Sequence, residues 1–211
     1  MVAEMAIVTI KSVDDIAQAV KRLNIREFTE INQICTPIPL RHKPQGFATL
    51  FQAIIGQQIS VASASAIWTR LEQAGLTTQA YVARAEAEDL ASLGLSRLKI
   101  CYAHTLLQSV LDYNGLASLQ DEAVLSTLTQ ITGIGRWTAE VYALQALGRA
   151  DVFPDGDLAL QETTRLILHL STRPNEKVMR TMAQDWAPWR TVAAWLLWAY
   201  YKRYKSREVI V

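Results

Sequence analysis

Between Phe47 and Ile55 the apolar residues Phe47, Leu50, Phe51, Ile54 and Ile55 recur every three or four positions, the period that lines one face of an α-helix. That face runs into Gly56-Gln57-Gln58, a stop. Upstream, Ser12 is placed to cap a helix ending near Asn24, and the Pro-containing stretch Cys35 to Pro44 breaks the pattern. Downstream the same periodicity predicts helices over 61–75, 78–93, 97–113, 121–131, 136–148, 157–171, 175–185 and 188–204. Gly94, Asn114-Gly115, Gly148 and Pro174 separate them. Only Ala6 to Ile10 suggests extended chain. The predicted class is all-α, with about ten helices. No repeat, low-complexity tract or flexible linker divides the 211 residues, so the chain reads as one compact unit.

With 50% hydrophobic residues the chain can bury a substantial core without disulfides. Lys and Arg total 21 against 20 for Asp and Glu, so any surface for a polyanion must be a local patch. Cys35 and Cys101 are the only cysteines and lack metal-ligand spacing, which excludes a cysteine-built zinc site or iron–sulfur cluster. No run approaches the roughly 18 apolar residues of a membrane span. The expected location is the cytoplasm, associated with the nucleoid in a bacterium, or the nucleus in a eukaryote.

The most informative stretch is Leu128-Thr-Gln-Ile-Thr-Gly-Ile-Gly-Arg-Trp-Thr-Ala139. It reads as a helix end, a Gly133-x-Gly135 hairpin and a new helix whose first-turn amides favour an anion such as phosphate. An ordinary turn between helices also uses glycine. Arg136 and Trp137 argue for more. A cation at a helix start opposes the helix dipole unless an anion is near, and a surface Trp is costly unless its ring is buried or offered to a ligand. About twenty residues on, Asp155-Gly156-Asp157 opens another apolar-periodic helix. Asp157 suits the N-cap, and a capping carboxylate is held rigidly enough to serve a site as well. Asp155 competes for the catalytic role, but Asp157 directly precedes Leu158-Ala-Leu-Gln and so stands at the helix mouth.

Leu128 to Ala139 with Asp157, together with Phe51-Gln-Ala-Ile-Ile-Gly-Gln-Gln-Ile-Ser60 and Pro188-Trp-Arg190 followed by Trp198, resembles the helix-hairpin-helix (HhH-GPD) DNA glycosylases. The similarity is to the alkylation-repair, 3-methyladenine branch in its compact form without an N-terminal β-rich domain, and it covers about Gly46 to Tyr201. It implies a bilobal helical fold with a DNA groove between lobes. One lobe would be 46–150, with the helix-hairpin-helix at 121–148, and the other 1–45 plus 151–211.

The implied activity is hydrolysis of the N-glycosidic bond of an alkylated base, such as 3-methyladenine or 7-methylguanine, flipped out of double-stranded DNA. Asp157 would stabilise the oxocarbenium-like sugar or orient water. A purine alkylated at N3 or N7 is already cationic, so one carboxylate suffices. Trp137 and Trp198 would form the base pocket through cation–π stacking, although Trp198 also fits a core position. The family often has aromatics at Val141 and Leu158, which are aliphatic here.

Gln57 and Gln58 would contact DNA, with Gln58 as the wedge filling the gap left by the flipped base; the simpler alternative is that they close a helix end. Gly133, Gly135 and Arg136 would bind phosphate, with Arg97 and Lys99 as further candidates. The run Lys202 to Arg207 reads as a solvated helix tail. The carbonyls of Thr129, Ile131 and Gly133 would hold a Na+ or K+ ion, with no other cofactor required. Lyase members carry Lys where this chain has Trp137, which implies a monofunctional enzyme leaving an abasic site. A monomer without membrane association is expected. The rivals are a non-catalytic, structure-selective DNA-binding protein and a glycosylase for another damaged base.

Overall fold

The computed structural model describes residues 7–208, with side chains as far as Ser206. Twelve α-helices lie in this range: α1 Val13–Leu23, α2 Arg26–Cys35, α3 Phe47–Gly56, α4 Val61–Gln73, α5 Gln79–Val82, α6 Ala87–Ser92, α7 Arg97–Gln108, α8 Asp121–Thr129, α9 Arg136–Ala146, α10 Leu158–Ile167, α11 Glu176–Met182 and α12 Arg190–Glu208. Single 3₁₀ turns occupy Gly115–Ser118 and Ala183–Trp186. The described residues contain no strand, only an isolated antiparallel bridge between Thr9 and Arg149. Of the extended opening, Ala6 lies outside the described residues, while Val8 and Ile10 bond the backbone of Ala150 and Gly148. No helix among the described residues is long and apolar enough to cross a membrane.

Local chemistry sets most helix ends. Ser12 and Asp15 form a reciprocal capping box on α1, and Asn24 ends that helix in the left-handed region at φ 49°. The expected helix over 78–93 is instead two short ones, because Glu86 and Asp89 form a second capping box that starts α6 afresh. The expected helix over 97–113 stops at Gln108, and Val110 has φ 46°. Helix α2 has no counterpart among the expected elements: Ile25 precedes it without a side-chain cap bond, so the usual start signal is missing.

The chain divides into two compact units. One is continuous, Lys43–Leu147; the other is split, joining the chain up to His42 with everything from Gly148 onward. In the continuous unit α3 packs on α4, α7 and α9. Leu50, Phe51, Ile54 and Ile55 are fully buried there, as the 3.6-residue period requires. Nearly all of α9 is buried, including Tyr142 and Glu140. In the split unit α12 packs against α1, α2 and α10, and Val192 to Leu197 are wholly buried. Trp186 adds edge-on contacts to Phe28 and Phe153, with centroids 5.3 and 5.1 Å apart.

Candidate active site and nucleic-acid interface

In the continuous unit, α8 ends at Thr129 and α9 begins at Arg136, with Gly133 and Gly135 between. The glycines differ in purpose. Gly133 has φ +95°, and a Cβ there would lie 2.2 Å from Cγ of Tyr102, so both conformation and packing demand glycine. Gly135 has φ −82°, open to any residue, and a Cβ there would meet nothing within 4 Å. Its bareness keeps the start of α9 approachable from outside. The N-cap Gly135 has no side chain with which to cap α9, and an uncapped helix start of this kind favours an external anion.

Arg136, exposed at this helix start, is tied to Glu140 at 2.8 Å and approaches Glu122 at 3.6 Å. The anion that balances it is thus supplied internally by the buried Glu140 one turn on. Trp137 follows, half-buried. Thr129, Ile131 and Gly133 turn with the hairpin; Ile131 O accepts from Ile134 N at 2.9 Å, and Gly133 O from Gln57 Nε2 at 2.8 Å. A carbonyl has two lone pairs, so neutral oxygens of this kind fit a hard monovalent cation. Among the described residues no cluster of His, Cys, Asp or Glu could hold a metal ion.

The turn after α3 faces the same hairpin within the unit. Besides the bond to Gly133, Gln57 donates to Thr138 Oγ1 at 2.9 Å, which staples the α3 end to the start of α9. Its neighbour Gln58 is exposed with φ 57°, strained for a residue with a side chain. Ile59 and Val61 beside it are also exposed, Val61 at 88%. Lys99, a candidate phosphate contact by sequence, instead donates to Ile55 O at 2.6 Å and closes the C-terminus of α3; burial lowers its pKa. Arg97 is exposed.

In the split unit the two neighbouring aspartates part company. Asp155 is 4% exposed and gripped by Arg180, with Nε to Oδ2 at 2.6 Å and Nη2 to Oδ1 at 3.3 Å. Asp157 is half-buried and caps α10, its Oδ1 accepting from Ala159 N at 2.9 Å and Leu160 N at 3.1 Å. The same oxygen accepts from the indole of half-buried Trp198 at 3.3 Å. Leu158, next to the carboxylate, is 62% exposed, whereas Val141 is buried. Trp195 and Trp186 are core residues. Trp189 carries Arg22 over its ring, and Arg190 forms a bidentate pair with Asp151 at 2.7 Å.

One participant escaped the sequence reading. Arg41, in the Pro-containing stretch Cys35 to Pro44, places its guanidinium 5.3 Å from the Trp198 ring centroid. Burial pulls its pKa down and the charge of Asp157 pulls it back up. Tyr102, beneath Gly133, was equally invisible, since nothing local links residues on different helices.

The profile of the HhH-GPD superfamily base excision DNA repair proteins matches residues 51–188. The alkylbase DNA glycosidase-like protein mag2 of Schizosaccharomyces pombe is 27% identical over 82% of this chain and 84% of its own length. Among solved structures, 3-methyladenine DNA glycosylase Mag1 of Schizosaccharomyces pombe in complex with abasic DNA superposes with TM-score 0.78 at 27% identity, covering 86% of this chain and 95% of that one. A DNA-3-methyladenine glycosidase from Bacillus halodurans gives TM-score 0.74 at 29% identity, covering 96% and 95%. With the profile spanning more than half of the chain, hairpin and Asp157 included, this protein belongs to the HhH-GPD superfamily of base excision DNA repair proteins.

Proposed function

We propose that this protein is a monofunctional DNA glycosylase of the 3-methyladenine type, cleaving the N-glycosidic bond of alkylated purines in double-stranded DNA and leaving an abasic site. One observation carries the reading: Asp157 is pinned by two amides and an indole through a single oxygen, at the mouth of a helix, in a chain of this superfamily. A carboxylate so fixed stabilises charge on a sugar without having to reorganise, worth about 10²–10³ in rate for a preorganised group. Asp155, neutralised by Arg180, is ill suited to that task. A cationic alkylpurine needs no second acid, because it departs as a neutral base.

Gly133, Gly135 and Arg136 would meet the phosphate backbone, and Gln58 would enter the duplex while Gln57 holds the turn. The carbonyls of Thr129, Ile131 and Gly133 would hold a sodium or potassium ion, adding positive charge beside that phosphate. Trp137 and Trp198 would stack on the extruded base. With Trp137 at the lyase position there is no amine to form a Schiff base. The protein would act as a monomer wherever chromosomal DNA lies. Incubation with methylated DNA, followed by chromatography of the supernatant, should detect free 3-methyladenine or 7-methylguanine and alkali-labile, uncut strands. Absence of any released alkylpurine would overturn the proposal, and binding without release would favour the non-catalytic rival.

A further inference from the structure

Arg41 has no part in the function set out above, yet it supplies a positive charge directly against a ring of the proposed base pocket. Its guanidinium lies over Trp198 at 5.3 Å, and Trp198 in turn donates to Asp157. Its Nε is buried without a hydrogen-bond partner among the described residues. An arginine keeps its proton throughout the physiological range and offers donors in a planar fork. Burying such a donor without an acceptor is costly, and an acceptor brought close to the guanidinium would offset part of that cost.

Asp157 supports charge on the sugar but does nothing for the departing base. A cationic alkylpurine requires nothing more. A neutral damaged purine leaves with the electron pair of the C1′–N bond, and negative charge spreads over its ring nitrogens and any exocyclic oxygen. A cationic donor beside that purine helps selectively, because the charge it meets exists only as the bond breaks.

Resting on the glycosylase reading, the geometry points to Arg41 as a specificity-determining residue that donates to the leaving base and extends excision to neutral lesions bearing an acceptor, hypoxanthine being the simplest. In that step the C1′–N bond breaks and its electron pair stays on the base. The oxygen of water bonds to C1′, the proton of that water ends on the base, and Arg41 keeps its own. The same cation opposes binding of a positively charged base, so removing it shifts the ratio between the two substrate classes.

The test uses duplex oligonucleotides with one hypoxanthine or one 7-methylguanine, mixed with excess wild type, Arg41→Gln or Arg41→Lys under single-turnover conditions. Wild type should release both bases. Arg41→Gln should lower the hypoxanthine-to-7-methylguanine rate ratio about tenfold or more. Should Arg41→Gln fail to fold by circular dichroism, Arg41→Lys decides through a ratio lowered about threefold, since it keeps the charge and loses the fork. A ratio unchanged within about twofold in the folded variant overturns the inference, because a structural role would slow both substrates alike. Wild type releasing 7-methylguanine but never hypoxanthine also overturns it and leaves the glycosylase reading intact. Release of neither base sinks both.

Discussion

The starts of α9 and α10 are both bends in which a helix opens after a glycine-containing turn, yet they are finished in opposite ways. At α9 the residue before the helix is Gly135, with no side chain to offer as a cap. At α10 the residue before the helix is Asp157, which satisfies two of the first-turn amides itself. The first bend brings no capping group of its own, the arrangement that suits an anion from outside; the second carries its own anion and fixes it in place. A protein that must grip phosphate at one point and stabilise positive charge at another needs both kinds. Asp155 sharpens the contrast, since a carboxylate two residues earlier is consumed by Arg180 and serves the fold.

Substitutions that separate these roles should show graded effects. The largest is expected from Asp157→Asn, which keeps a good N-cap but removes the charge. Base release in single-turnover assays should fall about 10²–10³-fold while affinity for abasic DNA and the melting temperature stay nearly constant. Next is Gly133→Ala, which meets both the positive φ and the Tyr102 ring. Urea denaturation should show a loss of about 2–4 kcal/mol, and DNA affinity should drop with it. Asp155→Asn breaks a pair whose arginine is half exposed, so a loss of about 1–3 kcal/mol is expected, with release per folded molecule largely retained. Gln57→Ala removes two bonds from the staple between α3 and α9. It should cost about 1–2 kcal/mol and weaken abasic-DNA binding measured by fluorescence anisotropy. The smallest effect belongs to Lys99→Met, about 0.5–1 kcal/mol, detectable as a small melting shift.

What the sequence disclosed follows the range of the interactions involved. Ser12, Asn24 and Asp157 act on amides within four residues, so their roles as caps were readable, as was the buried face of α3. The hairpin was readable because its two glycines lie two positions apart in one short motif. Side chains acting across the fold were not. Gln57 reaches Gly133 over 76 positions and Lys99 reaches Ile55 over 44, separations at which no local pattern names the partner. Arg136 was expected to need an external anion, whereas the i+4 neighbour Glu140 supplies one, a pairing visible in the sequence. Arg41 left only a basic residue in a proline-rich stretch, and nothing in that local signal names Trp198 as its partner.

Two aspartates two residues apart divide the work, Asp157 for chemistry and Asp155 for the fold. Comparing Asp157→Asn and Asp155→Asn side by side, for release of 7-methylguanine and for thermal unfolding, tests it directly. The expected result is crossed, with Asp157→Asn folded but about a hundredfold or more slower, and Asp155→Asn less stable but active. Full activity in Asp157→Asn, or loss of activity confined to a well-folded Asp155→Asn, would contradict it.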